Sequence, residues 1–223
     1  MTNILMNGTP RWLFGLVALG AMSGLGPNAA RVEAQMSYGV SGQGYAAVVN
    51  LATGTQQFAA AALPAEGGMT ASDLDNVSVA NTLNANTLNS ITTGMADLGI
   101  ASAQTSAEAA GVAILNGLIT ARQVVGVAAS YVSPQAAGSQ ADGSILLDLV
   151  INGVPLVGTP PPNTRIALPG VGYVMLNEQT PTGNGVTTSG ISVNMIHVVL
   201  QNAVTGLTTG EILVGSATSA VGS

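Results

Sequence analysis

The 223-residue sequence contains no cysteine and no lysine. Without thiols there is no disulfide, no thiolate metal site and no cysteine nucleophile. Its four cations are all arginines, Arg11, Arg31, Arg122 and Arg165, set against ten carboxylates for a formal net charge of −6. Charged residues make up 6% of the chain, against about 25% in an ordinary globular protein. Phosphate backbones are gripped by clustered Lys and Arg, so the composition argues against a nucleic-acid partner. The single histidine, His197, excludes sites built on several histidines. Aromatic residues are scarce at 3%, so a core has to be built from Val, Ile, Leu and Ala.

What is present begins with the order of an export signal. Arg11 precedes an uncharged, mostly apolar run over residues 12–22, which Gly24, Gly26 and Pro27 end. Such a run matches a secretory h-region of about 7–15 residues and falls short of the roughly 20 that span a bilayer. Val32-Glu33-Ala34 supplies a cleavage site, with a cut after Ala29 as the alternative. The same residues read as a buried N-terminal helix are the competing interpretation. The expectation is a signal peptide over residues 1–34 and one mature domain over residues 35–223. That mature chain keeps nine carboxylates and two arginines. No segment of it is apolar for long enough to make a transmembrane span. The longest candidate, residues 109–129, is interrupted by Asn116, Thr120, Arg122 and Gln123.

The mature chain reads as strands joined by glycine turns. Asn152-Gly153 stands between the apolar runs 145–151 and 154–157, which suits a type I′ hairpin with positive φ at both central residues. Residues 164–168 and 171–177 alternate, with Tyr173 and Met175 on one face and Val174 and Leu176 on the other. Residues 180–190 read as a loop. Residues 191–200 predict a central strand, with Ile191, Val193, Met195, His197 and Val199 on one side and Ile196, Val198 and Leu200 on the other. A last strand is expected over 211–215, ahead of a tail of small residues. In the first half, residues 38–51 and 56–63 are strand candidates. Residues 106–130 fit either a helix or two strands joined at Asn116-Gly117, and the strands are preferred because glycine weakens a helix interior. Residues 133–143 read as a loop within one domain. The fold class expected is all-β, a single, mainly antiparallel β-sandwich or barrel-like domain.

Several blocks resemble a known family. They are Asp148-Leu149-Val150-Ile151-Asn152-Gly153-Val154-Pro155, Pro162-Asn163-Thr164, Leu168-Pro169-Gly170-Val171-Gly172-Tyr173-Val174-Met175-Leu176-Asn177-Glu178-Gln179, Val193-Asn194-Met195-Ile196-His197-Val198 and Gly210-Glu211-Ile212-Leu213-Val214. In this order, over residues 100–217, the chain resembles the choice-of-anchor P family of bacterial secreted and surface proteins. The resemblance implies an all-β domain at the cell envelope or outside the cell, with no assigned enzymatic activity. Residues 216–223 carry neither an apolar span nor a basic stop. Secretion or non-covalent retention is therefore expected rather than covalent or lipid anchoring.

Each candidate for chemistry also has a structural interpretation. Histidine is the side chain whose unperturbed pKa lies near neutrality, so His197 is the natural candidate for acid–base work. No Gly-x-Ser-x-Gly elbow presents a serine to it, and a hydrogen-bonded structural histidine is expected. Asp73 and Asp75 fall on one side of an extended segment and offer oxygen ligands for calcium, or serve as solvated polar residues. Glu178 is a candidate for a glycosidase carboxylate pair. Gly42-Gln43-Gly44 approximates a nucleotide fingerprint without its strand–helix context. Arg122 and Arg165 can clamp an anion or pair with carboxylates. No catalytic, cofactor or metal site is assigned. The reading is a secreted or surface-located, non-catalytic structural or interaction protein whose partner is an envelope component or a second copy. The alternatives are a glycan-binding module and, behind it, a carboxylate-dependent hydrolase.

Overall fold

The computed structural model describes residues 38–222, so the expected signal peptide over residues 1–34 lies outside the described residues. Its strands in chain order are β1 (Gly39–Leu51), β2 (Gly54–Ala62), β3 (Gly68–Val79), β4 (Leu83–Asp97), β5 (Ile100–Ile114), β6 (Ile119–Val132), β7 (Ala137–Gln140), β8 (Ile145–Leu147), β9 (Leu149–Ile151), β10 (Val154–Leu156), β11 (Thr164–Leu168), β12 (Gly172–Gly183), β13 (Thr188–Gln201) and β14 (Thr208–Gly222). A six-stranded sheet runs β11-β12-β13-β14-β1-β2, and an eight-stranded sheet runs β10-β9-β6-β5-β4-β3, with β7 and β8 also pairing β6. All pairings are antiparallel. The sheets pack face to face as a sandwich, β14 lying over β5 and β6 and β1 over β4 and β5. They do not close into a barrel. No helix among the described residues is long and apolar enough to cross a membrane.

Turn chemistry sets the hairpins. Leu115, Asn116 and Gly117 all have positive φ between β5 and β6, so residues 106–130 form two strands. Asn152 and Gly153 have φ of 50° and 76°, as a type I′ turn requires. Elsewhere the strands outrun the expectation. Residues 180–190 are mostly strand, because β12 continues to Gly183 and β13 starts at Thr188. Pro181 is accommodated because β11 pairs β12 no further than Leu176, which leaves the rest of β12 an edge. The small-residue tail is also strand. β14 pairs with both β1 and β13 as far as Gly222, and Ser219 meets Ser130 of the opposite sheet, Oγ to Oγ at 2.7 Å. Small side chains suit a strand pressed between two neighbours and a facing sheet.

One irregularity organises both sheets. In the six-stranded sheet Asn177 (φ 50°), Gly215 (φ 67°) and Ala59 (φ 47°) adopt the left-handed conformation. They lie on alternate strands, β12, β14 and β2, and the registers align them with Met195 of β13 and Ala46 of β1. Along this transverse line the inward face changes parity. On β13, Ile191, Val193 and Met195 are core residues, and so are Ile196 and Val198. On β14, Ile212 and Val214 are core residues before the line and Ala217 after it. The eight-stranded sheet repeats the pattern with Asn76 (φ 54°), Gly111 (φ 62°) and Asp148 (φ 52°), aligned with Asn86 and Arg122. A pleated strand alternates sides at every residue, so one left-handed residue inverts everything beyond it. Neighbouring strands must invert with it or lose register. This corrects the expected facing of residues 191–200: His197 and Val199 leave the side of Ile191, Val193 and Met195.

The two creases face opposite ways. In the six-stranded sheet two successive residues turn inward, as at Met195-Ile196 and Ala46-Ala47, all fully buried. In the eight-stranded sheet two successive residues turn outward, as at Asn86-Thr87, both exposed. The inward crease meets the other sheet at Gly215 and Gly126, where a side chain on Gly126 would run into the Gly215 carbonyl. Two glycines facing each other let backbone rest on backbone.

Candidate functional site

The inward crease sets successive outward positions on its strands three residues apart instead of two. On β13 these are Asn194 and His197, and on β12 they are Met175 and Glu178. Glu178 opposes Asn194, Asn194 opposes Ser216 of β14, and Met175 opposes His197. Side chains therefore close over the crease from both banks. His197 Nδ1 lies 2.9 Å from Glu178 Oε2, and Asn194 Nδ2 donates to the same oxygen at 2.8 Å. Ser216 Oγ donates to Asn194 Oδ1 at 2.7 Å. A carboxylate only accepts hydrogen bonds, so Nδ1 carries the imidazole proton. The His197 hydrogen bond holds the Glu178 carboxyl below the usual carboxylate range. Burial opposes that shift, and Asn194 assists it.

This cluster contains the parts of a catalytic triad without its geometry. Ser216 bonds Asn194 rather than His197, so no base is in contact with a nucleophile. His197 Nε2 is buried with no hydrogen-bond partner, and Glu211 Oε1 stands 3.9 Å from it. Glu178 and Glu211 thus flank the two nitrogens of one imidazole, which lies between the two carboxylates. The arrangement clamps β12, β13 and β14 together over their crease. The expected hydrogen-bonded histidine is present, and its partner Glu178 had been singled out for different chemistry.

The other sequence candidates are dispersed. Asp73 and Asp75 lie on β3, the edge of the eight-stranded sheet, opposite Asn89 and Thr87. Among the described residues no three His, Asp or Glu side chains come together to hold a metal ion. Arg122 pairs with Asp148, Nε to Oδ2 at 2.6 Å, both side chains largely exposed. Arg165 instead lies over the Tyr173 ring, 4.0 Å from its centroid, a cation–π contact. Gly42 sits within β1 facing the buried Thr92–Thr105 hydroxyl pair, which a side chain there would strike. The glycines of that segment serve the close approach of two sheets.

Sequence reasoning missed a groove on the outer face of the eight-stranded sheet. It has a volume of about 410 Å³, within the range of roughly 300–1,000 Å³ typical of ligand sites. Met95 and Tyr131 form its walls on β4 and β6, with Ser102 of β5 between them in one cross-strand row. The next row holds Thr93, Gln104, Ala129 and Gln140. Tyr131 is 48% exposed, and the phenol end of its ring lies on Gly138 of β7. A signal existed in the alternation of Ser102, Gln104, Ser106 and Glu108 with alanine and threonine on β5, which marks a polar outward face. The chain matches no protein-family model, no curated protein and no solved structure.

Proposed function

We propose that this chain is an exported, non-catalytic interaction module acting outside the cell or at its envelope. The observation that supports this best is the contrast between its two polar sites. The cluster with acid–base groups is closed on itself, its imidazole nitrogens flanked by carboxylates. The open groove has no ionisable wall apart from Tyr131 and so suits binding rather than proton transfer. The order of an export signal in residues 1–34 and the resemblance of residues 100–217 to the choice-of-anchor P family support the location. Two measurements test this. Intact mass of extracellular material is expected to place the first residue at Gln35, or at Ala30 if the earlier cut is used. Purified protein is expected to co-sediment with the insoluble envelope of the producing cell without releasing soluble fragments. Retention of residues 12–22, or turnover of envelope polymer, would overturn the reading.

Self-association is the second arm of this function, and one edge favours it. β3 carries Asp73 and Asp75, β10 carries Pro155 and β11 carries Arg165, whereas β2 has no charge and no proline. Charge and proline keep strand edges apart, and salt screens the acidic repulsion between copies beyond about 8 Å. Sedimentation velocity at rising salt and concentration should show reversible association, which Gln57→Lys on β2 weakens. A single monomer throughout would remove self-association and leave the envelope component as the partner.

A further inference from the structure

We propose that the groove bounded by Met95 and Tyr131 is a binding site for a neutral glycan, which gives the interaction module proposed above its ligand class. The groove's polar groups are the primary observation. Thr93, Ser102, Gln104, Tyr131 and Gln140 all line it, and among the described residues none of their side chains makes a hydrogen bond within the protein. Two amides and three hydroxyls offer donors and acceptors together. That mixture matches sugar hydroxyls, which also donate and accept, better than it matches a carboxylate or an ammonium ion.

Spacing and stacking agree with this ligand. Met95 and Tyr131 stand on strands two apart, and strands are separated by about 4.8 Å. The backbones that carry them are therefore about 10 Å apart with Ser102 between, a spacing on the scale of a pyranose ring. Tyr131 rests on a glycine and keeps half its surface open, so its ring can be a platform for the C–H face of a sugar. The neighbouring row, Thr93 to Gln140, lies about 7 Å further along the strands, two residues at roughly 3.4 Å each. That places the amides beside a ring stacked on Tyr131 or beside its neighbour in the chain.

Other ligand classes fit less well. The backbone groups of the floor are already paired in the β4–β5–β6 ladder, so an extended peptide finds no free edge to add to. Neither groove row contains an arginine to meet an anion. Asp73 and Glu108 flank Asn89 in a row further along the same face, and their charge disfavours uronates and other acidic sugars.

The test is titration of the mature chain, residues 35–223, followed by amide NMR shifts and calorimetry. The probes are laminarihexaose, cellohexaose, mannohexaose and chitohexaose, with polygalacturonate as the acidic comparison. At least one neutral probe is expected to bind and to shift the amides of β4 to β7. Tyr131→Ala should weaken that binding about tenfold, the loss of one stacking contact, with the melting temperature retained. Gln104→Ala, on the exposed face, should weaken it several-fold and carries the test if the tyrosine variant fails to fold. Failure of all four neutral probes, tighter binding of polygalacturonate, or full affinity in both variants would overturn the proposal. Co-sedimentation with the envelope separates the two levels. If it persists when every neutral probe fails, the glycan is wrong and the interaction module stands, whereas its absence removes the module itself.

Discussion

The two sheets use the same backbone device and turn it in opposite directions. Each carries left-handed residues on alternate strands, and each inverts its inward parity along one transverse line. In the six-stranded sheet the doubled position faces the core, where Met195, Ile196 and Ala46 fill it and Gly215 rests on Gly126. In the eight-stranded sheet it faces outward, and Asn86, Arg122 and Asp148 occupy it. The inward crease is filled by small and apolar groups together with Asn177, whose buried amide donates to the Pro160 carbonyl, while the outward one carries amides and charges open to water. The comparison also explains where the polar side chains go. Over the inward crease they close into a clamp, whereas on the other outer face Thr93, Ser102, Gln104, Tyr131 and Gln140 line a groove.

The fold is most sensitive at the contact between the sheets, where the inward crease rests on Gly126. Gly126→Ala drives a methyl group into the Gly215 carbonyl, and backbone cannot rotate away as a side chain can. The expected loss is about 3 kcal/mol or more, at the upper end of overpacking effects. Thermal unfolding should show it as a large fall in melting temperature. A near-native melting curve would mean that the sheets are further apart at this point than the glycine contact indicates.

The clamp over the inward crease comes next. Glu178→Ala leaves Asn194 Nδ2 and His197 Nδ1 without their acceptor. Stranding partly buried donors costs about 2 kcal/mol. Acid offers a second way to probe the same contact. The Glu178 carboxyl is held below its usual value of 4.5 by the His197 hydrogen bond, so the native state binds its proton less readily than the unfolded chain. Its stabilising contribution is present above that usual value and is lost as pH falls through the lowered native one. Glu178→Gln should flatten the decline of stability with pH in this acid window. An unchanged acid slope would show that the clamp contributes nothing to folding.

Much of this fold was legible in the residues, and the inversions were not. The hairpins at Asn116-Gly117 and Asn152-Gly153 follow from residues that tolerate positive φ in sequence with the turn. The facing of residues 191–200 does not. No residue of β13 is left-handed, and its inversion at Met195-Ile196 is imposed by Asn177 and Gly215 on the strands either side. A local alternation rule contains no such term. Asp148 is the one charged residue of the run 145–151 and Asn76 stands in a polar stretch, but alignment across a sheet, which gives them meaning, is non-local. Ala59 carried no signal at all, since alanine seldom adopts a left-handed conformation. The same limit applies to the candidate sites. Glu178 and His197 were each identifiable, whereas their contact depends on the gap that the crease opens. The groove depends on register between β4, β5, β6 and β7 and on a glycine beneath Tyr131.

A smaller effect is expected at the outward crease of the eight-stranded sheet. Gly111 has φ 62°, and an added methyl group there meets the side chain of Asn86 rather than backbone. Asn86 is exposed and can swing into solvent. The cost of Gly111→Ala therefore reduces to holding alanine in the left-handed region, about 1 kcal/mol. Measured beside Gly126→Ala by denaturant unfolding, it should be clearly the milder change. Equal losses would show that the two creases are equally packed and would undo the distinction between inward and outward.

The smallest effect lies on the same outward line. Arg122 and Asp148 pair at 2.6 Å, but their side chains are 65% and 70% exposed. Water and salt screen such a pair, and ordering two side chains offsets much of the attraction, leaving about 0.5 kcal/mol. Arg122→Ala should therefore barely move the unfolding midpoint, and less again at high salt. Asp148 complicates the reciprocal change, because it also holds φ at 52°. Asp148→Gly removes the pair but supplies the residue that adopts this conformation most easily, so the two effects oppose each other. Its stability should equal or exceed that of Arg122→Ala when both are measured by denaturant unfolding in the same buffer. A marked loss in Asp148→Gly alone would show that the carboxylate does more than neutralise Arg122, and that the outward crease depends on its side chains as much as the inward one does.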